Sequence, residues 1–306
     1  MFYQWMYKKC YLRTLLLLAY LLRIAKKPKL IHKSEVIQPK NSIFDDADKH
    51  ATLLGDAYRG VGVMVSLIGL LIIFFAIAPV AFEVNHQFGR VFAACEMVLM
   101  ILMLFLVTHT TKKNHRKKWI DARKEVEGQR YDDLKKEIQQ LQHANENKNN
   151  AKREVSMTTL NQKLNIIFEE QISYNKDKAA IYVGVEKCSD MISWVGFLLA
   201  LTAAFLHLFI NESILPFHES FLLFFTAFVP ALVGAIHGTN AFLRLSDLAE
   251  EHADMAENLE DAKLNLNRVE NNPEKMLEIA ERSYNMLSDR DIQWAVSANK
   301  LGLKLV

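Results

Sequence analysis

The chain has 306 residues, of which 51% are hydrophobic and 24% are charged, and its formal net charge is +2. The apolar content excludes an intrinsically disordered chain, and 11 Gly and 6 Pro exclude a collagen-like or linker-type chain. Three widely separated cysteines exclude a disulfide scaffold, and so small a net charge gives no support for nucleic acid as a partner.

The N-terminal segment 1–29 has a basic start, a short apolar stretch and a second basic cluster. The apolar stretch 14–22 is too short to span a membrane, and no cleavage site of the small-x-small type follows it. This pattern predicts a basic interfacial helix that lies in the membrane plane and binds anionic lipid headgroups. A retained signal anchor is the alternative, and residues 30–50 read as a linker.

Four long apolar segments predict four transmembrane helices, at 61–82, 91–107, 191–210 and 221–236. The connections 83–89 and 211–220 contain no Lys or Arg, whereas 112–130 contains eight. By the positive-inside rule both termini and the long middle segment face the cytoplasm. The sequence therefore predicts an all-α, multi-pass integral membrane protein whose four spans form two hairpins.

Long polar helices are expected on the cytoplasmic side. No breaker other than Gly128 follows the second span before 143, so that span is expected to continue as one helix, and the fourth span likewise as far as 271. Apolar stripes at 155–172 and 277–287 need partners, which favours a cytoplasmic bundle or stalk, with coiled-coil oligomerisation left open. Asn272 is expected to cap a final helix that begins at Pro273.

These patterns divide the chain into six parts. They are an interfacial helix (1–29), a linker (30–50), a first two-span hairpin with its cytoplasmic helix (51–148), an amphipathic helix (149–180), a second two-span hairpin with its helix (181–270) and a C-terminal helix (271–306).

The two halves share a short motif at the inner end of a span. His109, Thr111 and Arg116 follow the second span, and His237, Thr239 and Arg244 follow the fourth span with the same spacing. Together with the shared order of elements, this favours a duplicated two-span unit whose copies are parallel.

The segment after the second span carries Trp119, Arg123, Glu127 and Arg130 at spacings of four, four and three. A two-span hairpin followed by such a helix resembles the SLATT families, the "SMODS and SLOG-associating two-transmembrane effector" domains of bacteria, over roughly residues 50–262. The resemblance implies an inner-membrane, pore-forming or membrane-perturbing effector of antiviral and nucleotide-signalling systems. The second half of the chain departs from this motif, because Asp247 and Glu251 stand where a strict repeat would place Trp and Arg.

Glu96 is the single carboxylate within a predicted span. Burial of a charge in lipid is costly, so Glu96 is expected to face protein or a pore. Two interpretations stay open: a carboxylate ring that favours cations in an oligomer, or a structural, hydrogen-bonded glutamate.

Other residues in and near the spans are gating or docking candidates. Pro79, Pro230 and Gly234 could form a hinge or simple kinks, and His207 could relay protons or be interfacial. The face formed by Trp119, Arg123, Glu127 and Arg130 could dock a cytoplasmic protein or a nucleotide, or could be a salt-bridged helix surface.

No catalytic motif, cofactor motif or metal-ligand spacing occurs in the sequence, which favours a protein that is not an enzyme and holds no metal or cofactor. The leading hypothesis is a homo-oligomeric effector that permeabilises the inner membrane on an intracellular signal. A membrane-anchored scaffold or sensor is the alternative, and a small-solute transporter is the least favoured class.

Overall fold

The computed structural model describes residues 2–21, 42–147, 150–209, 219–269 and 272–300. These residues are 95% helical and include no strand. The helices in chain order are α1 (Phe2–Trp5), a π-helical segment (Met6–Leu12), α2 (Arg13–Leu21), α3 (Ser42–Ala81), α4 (His86–Lys112), α5 (His115–Arg130), α6 (Asp132–Glu146), α7 (Asn150–Phe209), α8 (Glu219–Leu243), α9 (Leu245–Arg268) and α10 (Pro273–Lys300). Most of the predicted linker, 30–50, lies outside the described residues.

Four of these helices are long and apolar enough to cross a membrane. They are α3 from Asp46, α4, α7 from Ala151 and α8 from Ser220, and each contains one of the apolar segments identified in the sequence. The prediction of an all-helical chain with four membrane-spanning candidates is therefore confirmed.

The apolar parts of these helices pack as an open row in the order α4, α3, α8, α7. The ring of Phe75 on α3 meets Phe92 on α4, with centroids 5.6 Å apart. On another side of α3, Phe74 meets Phe228 of α8 at 5.8 Å. Gly196 of α7 then lies against Val229 and Val233 of α8. No comparable packing joins α4 to α7 within the described ranges, so these two helices form the edges of the row.

The polar parts of the helices form a second layer, which we call the polar bundle: α5, α6, α9, α10 and the N-terminal parts of α3 and α7. Its core is apolar and fully buried, since Leu141, Leu164, Phe168, Leu259 and Leu287 have no exposed surface. The predicted apolar stripe along α7 is buried at Leu160 and Leu164. Val155 is 67% exposed, because helical geometry places it on the opposite side of α7 from Leu164. Burial of such side chains stabilises each by about 1.5 to 3 kcal/mol.

One helix, α7, links both layers. Its 60 residues run without a break from Asn150 to Phe209, a length of about 90 Å. The boundary between the predicted parts 149–180 and 181–270 therefore lies inside one continuous helix. The predicted cap of α10 is present, because the side chain of Asn272 accepts a hydrogen bond from the backbone N–H of Lys275 at 3.1 Å.

The expectation that the second and fourth spans continue as unbroken helices is wrong. Helix α4 ends at Lys112, and Asn114 adopts a left-handed conformation with φ 49° before α5 begins. Helix α8 ends at Leu243, and Arg244 has φ 53° before α9 begins. Asn tolerates this conformation, and at Arg244 ion pairs to Asp247 and Glu251 offset its cost. The breaks turn α5 back along α3 and α9 back along α7.

Candidate functional site

The N-terminal helical segment lies across the row where the apolar parts of the spans begin. The side chain of Gln4 donates to the carbonyl of Leu53 on α3, and the hydroxyl of Tyr11 donates to Asn240 of α8 at 2.6 Å. Leu15 and Ala19 are buried in a cluster that also contains Val185 of α7. Residues 2–21 are therefore helical and packed on the spans, whereas residues 22–29 of the predicted interfacial helix lie outside the described residues.

Arg59 is the centre of the junction between these elements. Its guanidinium carbon is 5.5 Å from the ring centroid of Tyr7 and 4.9 Å from the ring of Trp119, so two aromatic faces hold one cation. One turn earlier, the buried carboxylate of Asp56 forms an ion pair with Lys8 at 2.5 Å. Burial raises the pKa of Tyr7 well above its usual value, which keeps the phenol neutral beside Arg59.

Trp119, from the predicted docking face, is buried against α3. Its ring is stacked 5.9 Å from Tyr58, and it lies directly on the backbone of Gly55, where no β-carbon would fit. Arg123 forms an ion pair with Asp48 of α3 at 2.9 Å. The side chains of the other two predicted members, Glu127 and Arg130, lie outside the described residues. Trp119 and Arg123 thus both contact α3.

A cleft of about 540 Å³ opens beside this junction. Five elements supply its walls: the N-terminal segment, α3, α5, α7 and α9. The polar residues of its wall are Tyr7, Lys8, Arg13, Tyr20, Thr52, Asp56, Arg59, Trp119, Arg123, Tyr174, Lys178, Tyr182, Glu251 and His252. We call it the junction cleft. Both halves of the chain and the N-terminal segment meet around this cavity.

Sequence reasoning missed most of this junction. The sequence pattern places Tyr7 only within the interfacial helix 1–29 and assigns no role to Asp56 or Arg59. A signal was present, because Gly55 and Gly60 flank the charged Asp56 and Arg59 just before an apolar segment. His252 in the cleft wall and the buried Asn175 were also missed; the ring of His252 and the side chain of Asn175 form a hydrogen bond of 2.6 Å.

The repeated motif at the ends of the spans is only partly repeated in structure. Thr111 and Thr239 each donate a hydrogen bond to the carbonyl four residues earlier. His237, however, pairs with Ser193 of α7 at 2.5 Å, whereas the ring of His109 stacks on Phe105 of its own helix. Arg244 is itself the left-handed residue of the second break. In the first half that position belongs to Asn114, while Arg116 lies within α5.

Glu96 lies on the stripe of α4 that faces α3. Phe92, Glu96, Leu99 and Met103 are all partly buried at helical spacing, and Phe92 and Met103 contact α3 directly. The outward stripe of α4 carries exposed apolar residues such as Val98 instead. Within the described ranges the carboxylate of Glu96 has neither a hydrogen-bond partner nor an ion-pair partner.

The predicted hinge residues have different surroundings. Pro79 lies two residues before the end of α3, and Pro230 lies in the middle of α8. Pro230 and Gly234 are exposed on one face of α8, and the space around Gly234 is open. His207 is half-buried near the end of α7.

No cluster of His, Cys, Asp or Glu suited to a metal ion occurs in the part of the chain that the structure describes.

Comparisons with family models, with curated proteins and with solved structures return no match for this chain.

Proposed function

We propose that the chain is a tandem two-span membrane protein of the bacterial inner membrane, with both termini and the polar bundle in the cytoplasm. The Lys and Arg residues that follow the second span, and their absence from 83–89 and 211–220, support this orientation. The common plan of α3–α4–α5 and α7–α8–α9 supports a duplication: each unit has a long first helix, a returning span, a left-handed break and a helix that folds back. Membership of the SLATT families is part of the same proposal.

In our proposal, the protein is an effector that oligomerises and permeabilises the membrane when an intracellular signal arrives, in antiviral or nucleotide-signalling defence. The observation that carries this proposal is the open row of spans. Both edge helices, α4 and α7, present exposed apolar faces in their apolar segments, and such edges can join successive protomers into a ring. A closed bundle of four spans would have offered no such edges.

Within such a ring, the exposed face of α8 is our candidate for the axis. It carries Ala227, Pro230, Gly234 and Gly238 at helical spacing, so the backbone is less shielded there than along the bulky faces of α4 and α7. Pro230 also leaves the carbonyl of Thr226 without its helical N–H partner. Small residues at a protein axis permit close approach of helices and a change of their packing.

Cysteine cross-linking tests the assembly. Val98 on α4 and Leu201 on α7 are exposed and lie near the middle of their apolar segments. A Val98→Cys/Leu201→Cys variant with Cys95→Ser is expected to give covalent dimers and a ladder of higher species in membranes upon oxidation. Leu201→Cys paired with Ala76→Cys, on the central helix α3, is the matched control. Absence of any ladder in the edge pair would refute edge-to-edge assembly.

Dye release tests the activity. The purified full chain is reconstituted into vesicles of phosphatidylethanolamine and phosphatidylglycerol that contain a self-quenched dye. Release is expected to rise more steeply than linearly with the protein-to-lipid ratio, because several copies must meet. Induced expression of the chain in bacteria is expected to collapse the membrane potential upon activation. Vesicles and potential that stay intact with activated protein would contradict the proposal.

A membrane-anchored scaffold or sensor is the second candidate. Two observations favour it. The outward faces of α4 and α7 are apolar, as expected for helices that only contact lipid, and Glu96 lies on the stripe of α4 that faces α3. Replacing all four spans by unrelated transmembrane hairpins separates the two functions. A scaffold would keep recruiting its cytoplasmic partner, whereas a permeabilising effector would lose its activity.

A further inference from the structure

We propose that the junction cleft is a binding site for a phosphate-bearing ligand. Five cationic side chains line it, at Lys8, Arg13, Arg59, Arg123 and Lys178, against only two carboxylates. The site is independent of whether the assembled protein permeabilises membranes.

The two carboxylates of the cleft are already occupied. Asp56 pairs with Lys8 at 2.5 Å, and Glu251 pairs with Arg244, outside the cleft wall, at 3.1 Å. Arg123 has its own partner in Asp48.

Three of the five cationic side chains of the junction cleft are left after these ion pairs are counted. Arg13, Arg59 and Lys178 form no ion pair with a carboxylate among the described residues, although Asp56, one turn before Arg59, lies near enough to favour the charge of Arg59. All three cations border the same cavity, so an anion bound there can accept charge-assisted hydrogen bonds from side chains that hold no carboxylate.

Arg59 is prepared for this role by its surroundings. The rings of Tyr7 and Trp119 fix the position of its guanidinium, so little side-chain freedom is lost when a ligand binds. Lys178 is steadied in a similar way by the ring of Tyr174, with its ammonium 5.6 Å from the centroid. A planar guanidinium matches two phosphate oxygens, and an ammonium adds a point charge.

The rest of the wall suits a ligand larger than a free ion. Leu12, Leu16, Leu17 and Ile181 give the cleft an apolar side, and its volume of about 540 Å³ lies within the range of small-molecule sites. Arg59 precedes the first apolar residue of the span, Val61, by two positions, which is the level of a lipid headgroup. The phosphate could therefore belong to an anionic phospholipid or to a soluble phosphorylated molecule.

The test uses the full chain purified in a detergent without lipid, and the thermal unfolding midpoint as readout. The probes are inorganic pyrophosphate, dioleoylphosphatidylglycerol and, as the zwitterionic control, dioleoylphosphatidylcholine. Lys178→Gln and Arg13→Gln each remove one cleft cation. The matched controls are Lys187→Gln, on the opposite face of α7, and Lys9→Gln, one turn earlier in the N-terminal segment; both of these lysines are exposed outside the cleft.

We expect the midpoint to rise with an anionic probe. The concentration that gives half of the rise should increase about tenfold in each cleft variant, because one charge-assisted hydrogen bond to phosphate is lost, and should stay unchanged in the controls. Arg59→Gln should weaken binding further, but it also breaks the ring contacts, so the variants at Arg13 and Lys178 decide the test.

Stabilisation by pyrophosphate in lipid-free detergent would identify a soluble ligand, and stabilisation by dioleoylphosphatidylglycerol alone would identify a headgroup. Equal weakening in Lys187→Gln and Lys178→Gln would overturn the proposal, because it would show general surface attraction. No shift with either anionic probe would also overturn it. Neither result bears on dye release, so failure of this site and failure of the effector function are distinguishable.

Discussion

Gly60→Ala is expected to detach the N-terminal helical segment from the row of spans. Gly60 lies on α3 where the backbone of Tyr3 crosses it. A β-carbon at this position would overlap the carbonyl oxygen of Tyr3 and would lie 2.5 Å from its carbonyl carbon and 2.9 Å from its α-carbon. Ordinary contacts between such atoms begin at 3.4 Å. Because backbone atoms cannot rotate away, the whole segment must move.

The magnitude follows from two opposing effects. Overpacking of this kind costs about 1 to 3 kcal/mol, whereas Ala gains about 1 kcal/mol over Gly in a helix interior. Movement of the segment also weakens the Lys8–Asp56 ion pair and the contact of Arg59 with Tyr7. We therefore expect a local loss of about 2 kcal/mol, which corresponds to amide exchange about 30-fold faster in residues 2–21.

Hydrogen exchange followed by mass spectrometry on the full chain in detergent measures this effect. Gly234→Ala is the matched control, because it adds the same methyl group to a helix where nothing lies within 4 Å. It should leave exchange in residues 2–21 unchanged. Equal exchange in the wild type and Gly60→Ala would refute the close crossing of the segment over α3.

Three further predictions concern single side chains. Asn114→Ala should lower the thermal midpoint more than Asn114→Gly, by a difference of about 1 kcal/mol in stability, because only Gly adopts a φ of 49° without strain; equal midpoints would contradict the left-handed break. Phe168→Ala should destabilise the polar bundle by about 3 to 5 kcal/mol in chemical denaturation, whereas Val155→Ala, at an exposed position of the same helix, should be nearly neutral. Glu96→Gln should raise the thermal midpoint, because it removes an unpartnered carboxylate from the stripe that faces α3, and should leave the reversal potential in bilayers unchanged. A changed cation preference in that last variant would restore Glu96 as a pore-lining residue.

The sequence by itself determined the class of the fold. Segments of 16 to 22 residues with at most one acidic or basic side chain of Asp, Glu, Lys or Arg indicate candidate membrane spans by length and composition alone, and each lies essentially within one of the four candidate helices of the structure. Local chemistry also sufficed at the start of α10, because Asn272 and Pro273 act on backbone groups a few residues away. The apolar stripe through Leu160 and Leu164 likewise followed from helical periodicity.

The two helix breaks could not be predicted, because their local signals are weak and part of what stabilises them is tertiary packing. Neither the segment around Asn114 nor that around Arg244 contains a Gly or Pro at the break, so the sequence read as continuous helix. The left-handed residues are stabilised by what the turn makes possible. Helix α5 can then bury Trp119 on α3, and α9 can bury Leu259 in the polar bundle.

Only the tertiary structure decided where the functional candidates face. Periodicity placed Glu96 on a face of α4, but the packing of α4 beside α3 decided which helix covers that face. The junction cleft depended even more on the fold, since Arg13, Arg59 and Lys178 come from three distant segments. Each of them reads as an ordinary surface cation in sequence. Their convergence beside one cavity arises because the N-terminal segment crosses both halves of the duplicated chain.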